Sequence, residues 1–444
     1  MARGRKALPA EPVEVLIESL TQDGRGVAHV NGKAVFIHGG LPGERLTFTY
    51  DRVQRRYDEG RAHQVLEASP DRVEPGCPHF GLCGGCALQH VRDSAQLGYK
   101  QQSLLDALQR IGKVTPERLL EPLVASHWGY RRKARLGVKY VAKKGRVLVG
   151  FREQGSPLVA DLSQCPVLHP QVGSRLLDLA QLVEGLSIRD KLPQIEVGMG
   201  DDCCALVFRV LAPPSPADLD RLREFGALHG FVIYLQDGGP ETVRPLDPPA
   251  PELFYDLPGE PPLRLKFAPL DFTQINLDLN RLLVQRALNL LDPQPQDRVL
   301  DLFCGIGNFS LALATRAGCV VGVEGSAPLV ERAQHNATAN GLTNTEFRVA
   351  DLYGSLEGLD WTGATFDQIL LDPPRTGAQE ILPLLPKLGA QRILYVSCYP
   401  STLARDAGIL VHDQGYRLLA AGVMDMFPHT AHVESMALFE RARA

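Results

Sequence analysis

The chain lacks any long apolar run. Nowhere in its 444 residues does a hydrophobic stretch approach the roughly 18 residues needed to span a bilayer. The opening Met-Ala-Arg-Gly-Arg-Lys is basic but has no apolar segment of the secretory type. Both absences argue against a membrane or exported protein, and the expected compartment is the cytoplasm. An overall basic charge is missing too. Lys and Arg number 47 against 51 Asp and Glu, for a net charge of −4, so no global field attracts nucleic acid. There is no internal repeat and no low-complexity tract, which argues against a solenoid. What remains is ordinary globular composition, with length for roughly two to four domains.

Local features depart from these averages. Between His127 and Arg152 there are nine Lys and Arg (131, 132, 133, 135, 139, 143, 144, 146, 152) and no acid. A solvated hairpin accounts for this, and so does a phosphate-binding ribbon. Tyr130, Tyr140 and Phe151 interleave with the charges and are expected to stack on bases.

Residues 13–66 read as a β module: alternating Val13-Glu-Val-Leu-Ile, a turn at Asn31-Gly32 between apolar runs, and Leu46-Thr-Phe-Thr-Tyr50. Five short strands in so little chain predict a small oligonucleotide-binding-type barrel. Residues 71–92 are rich in Cys and Gly without periodicity. Residues 94–110 have helical spacing, and 127–245 read as strands with one helix over 171–184. The proline-rich 240–262 reads as a linker. From Asp271, strand-like and helical segments alternate at 298–303, 310–315, 319–324, 329–340, 345–349, 368–371 and 392–397, the mark of a doubly wound parallel sheet.

Within that last region, Val299-Leu-Asp-Leu-Phe-Cys-Gly-Ile-Gly-Asn308 is a strand followed by a glycine turn. A dinucleotide fingerprint would place a third glycine at position 310, where Ser310 stands. The turn therefore predicts a nucleoside ligand without a pyrophosphate. Glu324 ends the next strand, placed to accept from ribose hydroxyls, and Asp351 ends the one after, placed to meet a base. Together the three point to S-adenosylmethionine. Asp372-Pro-Pro-Arg375 closes a further strand. Arg375 stands where enzymes that methylate exocyclic amines carry Tyr, so a different target atom is expected.

Cys398, in Val396-Ser-Cys-Tyr-Pro400, ends the following apolar run. A buried strand-closing thiol is one reading, and a nucleophile beside a bound cofactor is the other. Cys77, Cys83, Cys86 and Cys165 form a second set, suited to zinc or to an iron–sulfur cluster. A zinc ribbon uses two Cys-x2-Cys pairs and only one is present, which favours iron–sulfur. Cys203, Cys204, Cys304 and Cys319 are expected in the core.

The motifs Phe272-Thr-Gln-Ile-Asn276, Asp301-Leu-Phe-Cys-Gly-Ile-Gly-Asn308, Leu371-Asp-Pro-Pro-Arg375, Ser397-Cys-Tyr-Pro400 and His432-Val-Glu-Ser435 resemble those of the bacterial RNA 5-methyluridine methyltransferases. The N-terminal module is similar to a TRAM domain. Tyr399 departs from the family, which commonly has Asn there. The resemblance implies a multidomain α/β chain: an OB-like TRAM barrel over 1–70, an iron–sulfur-bearing α+β domain over 71–270, and a Rossmann-like methyltransferase domain over 271–444. It implies Cys398 as nucleophile and Glu434 as base. Gln274, Phe303, Asn308, Glu324, Asp351 and Asp372 would line the S-adenosylmethionine pocket, and Cys77, Cys83, Cys86 and Cys165 would hold a [4Fe–4S] cluster. A TRAM domain with a cluster resembles the ribosomal branch. The implied substrate is 23S rRNA before full ribosome assembly, methylated by a monomer. Two other readings stand against it. A radical enzyme would leave one iron open, and here Cys165 offers a fourth ligand. A decayed RNA-binding module would not keep Cys398, Glu434 and Asp372 together.

Overall fold

The computed structural model describes residues 8–9, 11–354, 356 and 359–442. The basic hexapeptide at the start lies outside the described residues. Among them, no helix is long and apolar enough to cross a membrane. The chain packs as two compact units. One comprises the described residues through Ser103 with Arg152–Leu158 and Phe427–His432, and the other the rest.

In the first unit, six strands form one sheet in the order Val13–Leu16, Arg45–Val53, Tyr57–Glu67, Lys33–His38, Gly26–Val30, Ser19–Leu20. Val15, Ile17, Ala28, Val35, Ile37, Leu46 and Phe48 fill its core. The expected hairpin forms at Asn31 and Gly32, both at positive φ (50° and 78°), as a tight two-residue turn matching strand twist requires. Residues 71–92 form turns and isolated bridges with no strand. Buried polar ties hold this stretch instead. Cys77 N–H donates to Gln89 Oε1 at 3.0 Å, and Ala87 and Leu88 both donate to His429 O at 2.9 Å. The helix Asp93–Ala107 follows.

The second unit holds two large sheets. The first runs Arg244–Pro245, Phe231–Gln236, Cys204–Arg209, Gln194–Met199, Lys133–Val141, Arg146–Gly150. The expected helix over 171–184 is split into Pro170–Gly173 and Leu176–Glu184. A second helix, Pro216–His229, was not expected. It starts at a capping box in which Ser215 and Asp218 satisfy each other's backbone N–H, a readable signal ahead of Leu219, Leu222 and Phe225 at helical spacing. The proline-rich stretch is not a plain linker. Leu253–Leu257 pairs with Leu263–Phe267, and Leu253, Tyr255 and Leu257 alternate into the core.

The other sheet has eight strands: Thr345–Val349, Cys319–Glu324, Arg298–Leu302, Gln368–Leu371, Arg392–Ser397, Glu434–Arg441, Tyr416–Met424, Arg118–Leu119. The first five are parallel neighbours. Their runs are apolar on both faces: Leu300, Ile369 and Ile393 on one and Val299, Leu370 and Leu394 on the other are fully buried, as parallel strands require. Strand order reverses between Arg298–Leu302 and Gln368–Leu371, and ligands of such sheets bind outside the carboxyl ends at that switch.

Candidate active site

Strand pairing gathers the predicted residues at those carboxyl ends. Leu302 pairs with Val323 on one side and Leu371 on the other, so Phe303, Glu324 and Asp372 stand at the ends of three adjacent strands. Phe303 has φ +66°, strained for a residue with a side chain. Its N–H is held by Val323 O at 2.9 Å. Gly307, at φ +91°, leaves no room for a side chain, since a Cβ would meet Leu311 Cδ1 at 2.4 Å. Glu324 closes the turn: its Oε2 accepts Gly305 N–H at 3.3 Å and its Oε1 accepts Ser326 N–H at 3.0 Å.

The remaining cofactor candidates divide. Asn308 exchanges amide bonds with Asn280 at 2.8 and 3.0 Å and accepts from Tyr255 O–H at 2.9 Å, so it braces the turn. Asp351 is exposed and accepts Tyr353 N–H at 3.0 Å. Gln274 is half-buried in the segment before the helix Leu277–Leu291. Tyr353 was missed from sequence. Its ring packs on Phe303 with centroids 5.7 Å apart, at a tilt that no local pattern announces.

Two acids in the site are shifted. Asp301 is fully buried. Ser310 Oγ donates to its Oδ2, and its Oδ1 has no partner. Burial, then the nearby Asp372, pushes its carboxyl up to about 7. Crowding by protein atoms likewise pushes Asp372 up to about 7.

Cys398 and Glu434 come together through antiparallel pairing. Arg392–Ser397 pairs with Glu434–Arg441, and its last pair is Ser397 with Ser435. Cys398 and Glu434 are therefore the next residues outward on the two strands. Ser435 Oγ donates to Ser397 O at 3.3 Å. Burial, then the charges of Glu434 and Asp372, pushes the Cys398 thiol up to about 11, while Arg375 pulls the other way. Tyr399, half-exposed, leads into the helix Pro400–His412.

The basic stretch and the other cysteines are less as expected. Tyr130 is buried, Arg189 covers the Tyr140 ring and Arg131 covers Phe151, so the three aromatics already have protein partners. Acids from elsewhere engage the cations: Arg132 pairs with Asp201, Arg135 with Glu196, and Lys144 and Arg146 with Asp161. Lys133 is pulled down to about 8, chiefly by burial. Cys204 and Cys304 are buried, but Cys203 and Cys319 are partly exposed. Cys203 stands just outside the strand Cys204–Arg209, with its thiol toward Glu252 O at 3.7 Å. Cys77, Cys83, Cys86 and Cys165 are all half-buried and form no disulfide. Among the described residues, no three His, Cys, Asp or Glu side chains are gathered as a metal-binding group, so the expected cluster site is not seen as a preformed cage.

Comparison with known proteins now decides the family. A methyltransferase of Methylococcus capsulatus, named 23S rRNA (uracil(1939)-C(5))-methyltransferase RlmD, is 55% identical over 98% of this chain and 99% of its own. This chain belongs to the RlmD family. An RlmD from Alkalilimnicola ehrlichii is 54% identical over 99% of both chains. Residues 262–442 match the tRNA (Uracil-5-)-methyltransferase family model, and residues 8–62 match the TRAM domain. The RlmD fold is also that of a solved structure, the Pyrococcus abyssi tRNA (uracil-54, C5)-methyltransferase in complex with S-adenosyl-L-homocysteine. It has a TM-score of 0.71 at 24% identity over 96% of this chain and 100% of that one. A TRAM domain and a methyltransferase domain are thus both matched on this chain.

Proposed function

We propose that this chain transfers a methyl group from S-adenosylmethionine to C5 of one uridine in 23S rRNA, the uracil 1939 of its relatives' name. The observation that carries this is the register that sets Cys398 and Glu434 side by side at the end of two paired strands. Uracil C5 is a poor nucleophile. Addition of the Cys398 thiolate at C6 makes the ring an enolate whose C5 attacks a methyl group. Glu434 then removes the C5 proton, and Cys398 leaves. The two jobs need two groups within reach of one ring.

In the free protein at neutral pH, the Cys398 thiol is protonated, since it is pushed to about 11 and only the thiolate attacks. Arg375 favours the thiolate. A protonated Asp372 would lift part of the like-charge penalty, and its value near 7 makes that form well populated at neutral pH.

The residues present fit S-adenosylmethionine. Nothing lies within 4 Å of where a Gly305 Cβ would stand, and the buried Asp301 Oδ1 lacks a partner. The group supplies an electrophilic methyl on a sulfonium. Phe303, Glu324 and Asp351, braced by Asn308, would bind it with Gln274 and Asp372. The target base must leave its stack to reach Cys398, which favours action before the ribosome is fully assembled. All these residues lie on one chain, consistent with a cytoplasmic monomer. The functional segments are 1–70 for RNA binding, 71–270 for cluster and RNA, and 271–444 for methyl transfer.

What supports an iron–sulfur cluster is donor chemistry: four cysteines outside any disulfide, with Gly85 N–H donating to Cys83 Sγ at 3.4 Å, a bond type that tunes such clusters. Cys77, Cys83, Cys86 and Cys165 would hold [4Fe–4S], with a structural role. Iron and sulfide analysis of anaerobically purified protein tests this. Cys83→Ser should lose both elements, and a wild type without iron overturns it.

For the main reading, 5-methyluridine is mapped by mass spectrometry in 23S rRNA from cells lacking the protein. One site should lose its methyl group. Intact 23S methylation, or loss from transfer RNA alone, overturns the assignment.

A further inference from the structure

We propose that Asp406 is a positioning residue that holds the two reactive loops at fixed spacing. It lies in the helix Pro400–His412 and is wholly buried. Its Oδ2 accepts Ala378 N–H at 2.8 Å and Tyr395 O–H at 2.6 Å. Its Oδ1 accepts Arg405 Nε–H at 2.7 Å, and Arg405 Nη2 donates onward to Thr376 O at 3.0 Å. One carboxylate therefore ties three segments. Ala378 and Thr376 belong to the loop that begins Asp372-Pro-Pro-Arg375. Tyr395 belongs to the strand that runs into Cys398, and Asp406 itself to the helix that leaves Cys398.

Tyr353 closes the same cage from the cofactor side. Its O–H donates to Gly377 O at 2.9 Å and lies 2.8 Å from Thr376 Oγ1. Gly377 stands in the middle at φ +83°, where a Cβ would lie 2.7 Å from Asp406 Oδ2 and 2.5 Å from Arg405 Nη2. No side chain fits there, so the loop is moulded onto the carboxylate.

Packing alone does not require this arrangement. A buried carboxylate is costly unless fully bonded, and apolar residues of similar size often stabilise as well or better. A bonded network adds fixed geometry. Geometry matters at this place because Asp372 and Arg375 stand on one loop and Cys398 on the other. A displacement of about 1 Å between reacting groups costs on the order of 100-fold in rate.

This inference rests on Cys398 being the nucleophile, and the test separates the two. The full-length protein with S-adenosylmethionine is mixed with a 5-fluorouridine-substituted 23S rRNA fragment. Formation of the denaturation-resistant covalent adduct is followed in a single turnover. Amplitude counts competent molecules, and the rate constant reports positioning. Tyr395→Phe removes one hydroxyl and keeps the ring. Asp406→Asn replaces an acceptor by a donor opposite Arg405 Nε.

Both variants should keep the full amplitude while the rate constant falls about 10- to 100-fold. Ile393→Val, a core change on the same strand, should leave the rate constant unaltered. An unaltered rate constant with an amplitude reduced in step with the folded fraction would show that Asp406 only stabilises. If Asp406→Asn does not fold, Tyr395→Phe decides alone by the same two readouts. If the wild type forms no adduct, the nucleophile reading falls first, and this inference with it.

Discussion

The methyltransferase sheet and the cysteine-bearing stretch 71–92 are held together by opposite means. In the sheet, Val299, Leu300, Val320, Ile369, Leu370, Ile393 and Leu394 are all fully buried, and hydrophobic burial along each strand does the work. The cysteine stretch has no strand and only a small apolar cluster around Leu41, Leu88 and Val91. Its order comes from buried polar pairs. Arg72 donates to both oxygens of the fully buried Glu44, at 2.5 and 2.7 Å. Ala87 and Leu88 both donate to His429 O at 2.9 Å, and His429 N–H in turn donates to Gln96 Oε1 at 2.9 Å. A sheet of redundant apolar contacts tolerates single losses, whereas a polar framework depends on each tie.

The sharpest break in this comparison is Cys398→Ala. Because the thiol stands beyond the last strand pair, methylation and 5-fluorouridine adduct formation should both vanish while the melting temperature stays within a few degrees. A large drop in melting temperature would show that Cys398 serves the core after all. Glu434→Gln should slow product release by roughly 10²- to 10⁴-fold and leave a methylated covalent adduct with unmodified RNA on gels.

Stability should respond more strongly in the polar region than in the sheet. Glu44→Gln breaks a buried ion pair and is expected to cost about 3 kcal/mol or more, read by urea unfolding. Burial alone would raise the Glu44 carboxyl, but bonds from Arg72 and from the N–H groups of Leu41 and Ser69 hold it below its usual value. Its contribution is therefore full above the unfolded value and is lost as pH falls through the folded one. The gap between wild type and Glu44→Gln should shrink as pH falls below about 5. Ile393→Val, in the sheet, should cost only about 1 kcal/mol. If the two substitutions cost the same, the contrast between the regions is wrong.

The smallest expected effect is on thiol titration. Iodoacetamide labelling of Cys398 in the free protein should rise with a midpoint near 11. Glu434→Gln removes one of the raising charges and should move that midpoint down. Mass-spectrometric labelling rates against pH would show it.

Much of the sheet was legible because parallel strands buried on both faces read as uninterrupted apolar runs. The observed Arg298–Leu302, Cys319–Glu324, Thr345–Val349, Gln368–Leu371 and Arg392–Ser397 differ from expectation by at most a residue. The helix Pro216–His229 was legible but unread: its capping box precedes Leu219, Leu222 and Phe225 at helical spacing. For the basic stretch, the acids that pair with Arg132, Arg135, Lys144 and Arg146, namely Asp201, Glu196 and Asp161, all lie outside residues 127–152. Local charge counts cannot register them. Asp406 was invisible for a similar reason: an Asp in an amphipathic helix reads as a solvated face until the loop 376–378 and Tyr395 are known to meet it.

By itself the sequence determined the order of the parallel methyltransferase strands, the glycine turn and the acids at the strand ends, since these follow from local pattern and residue type. Tertiary structure alone decided that Cys398 and Glu434 are neighbours, because antiparallel register depends on how two strands pair. It alone decided that Asp301 and Asp372 are shifted to about 7, because desolvation exists only once the chain has closed around a charge. It also decided that one buried carboxylate, Asp406, ties both reactive loops, because that needs three segments to converge on two oxygen atoms.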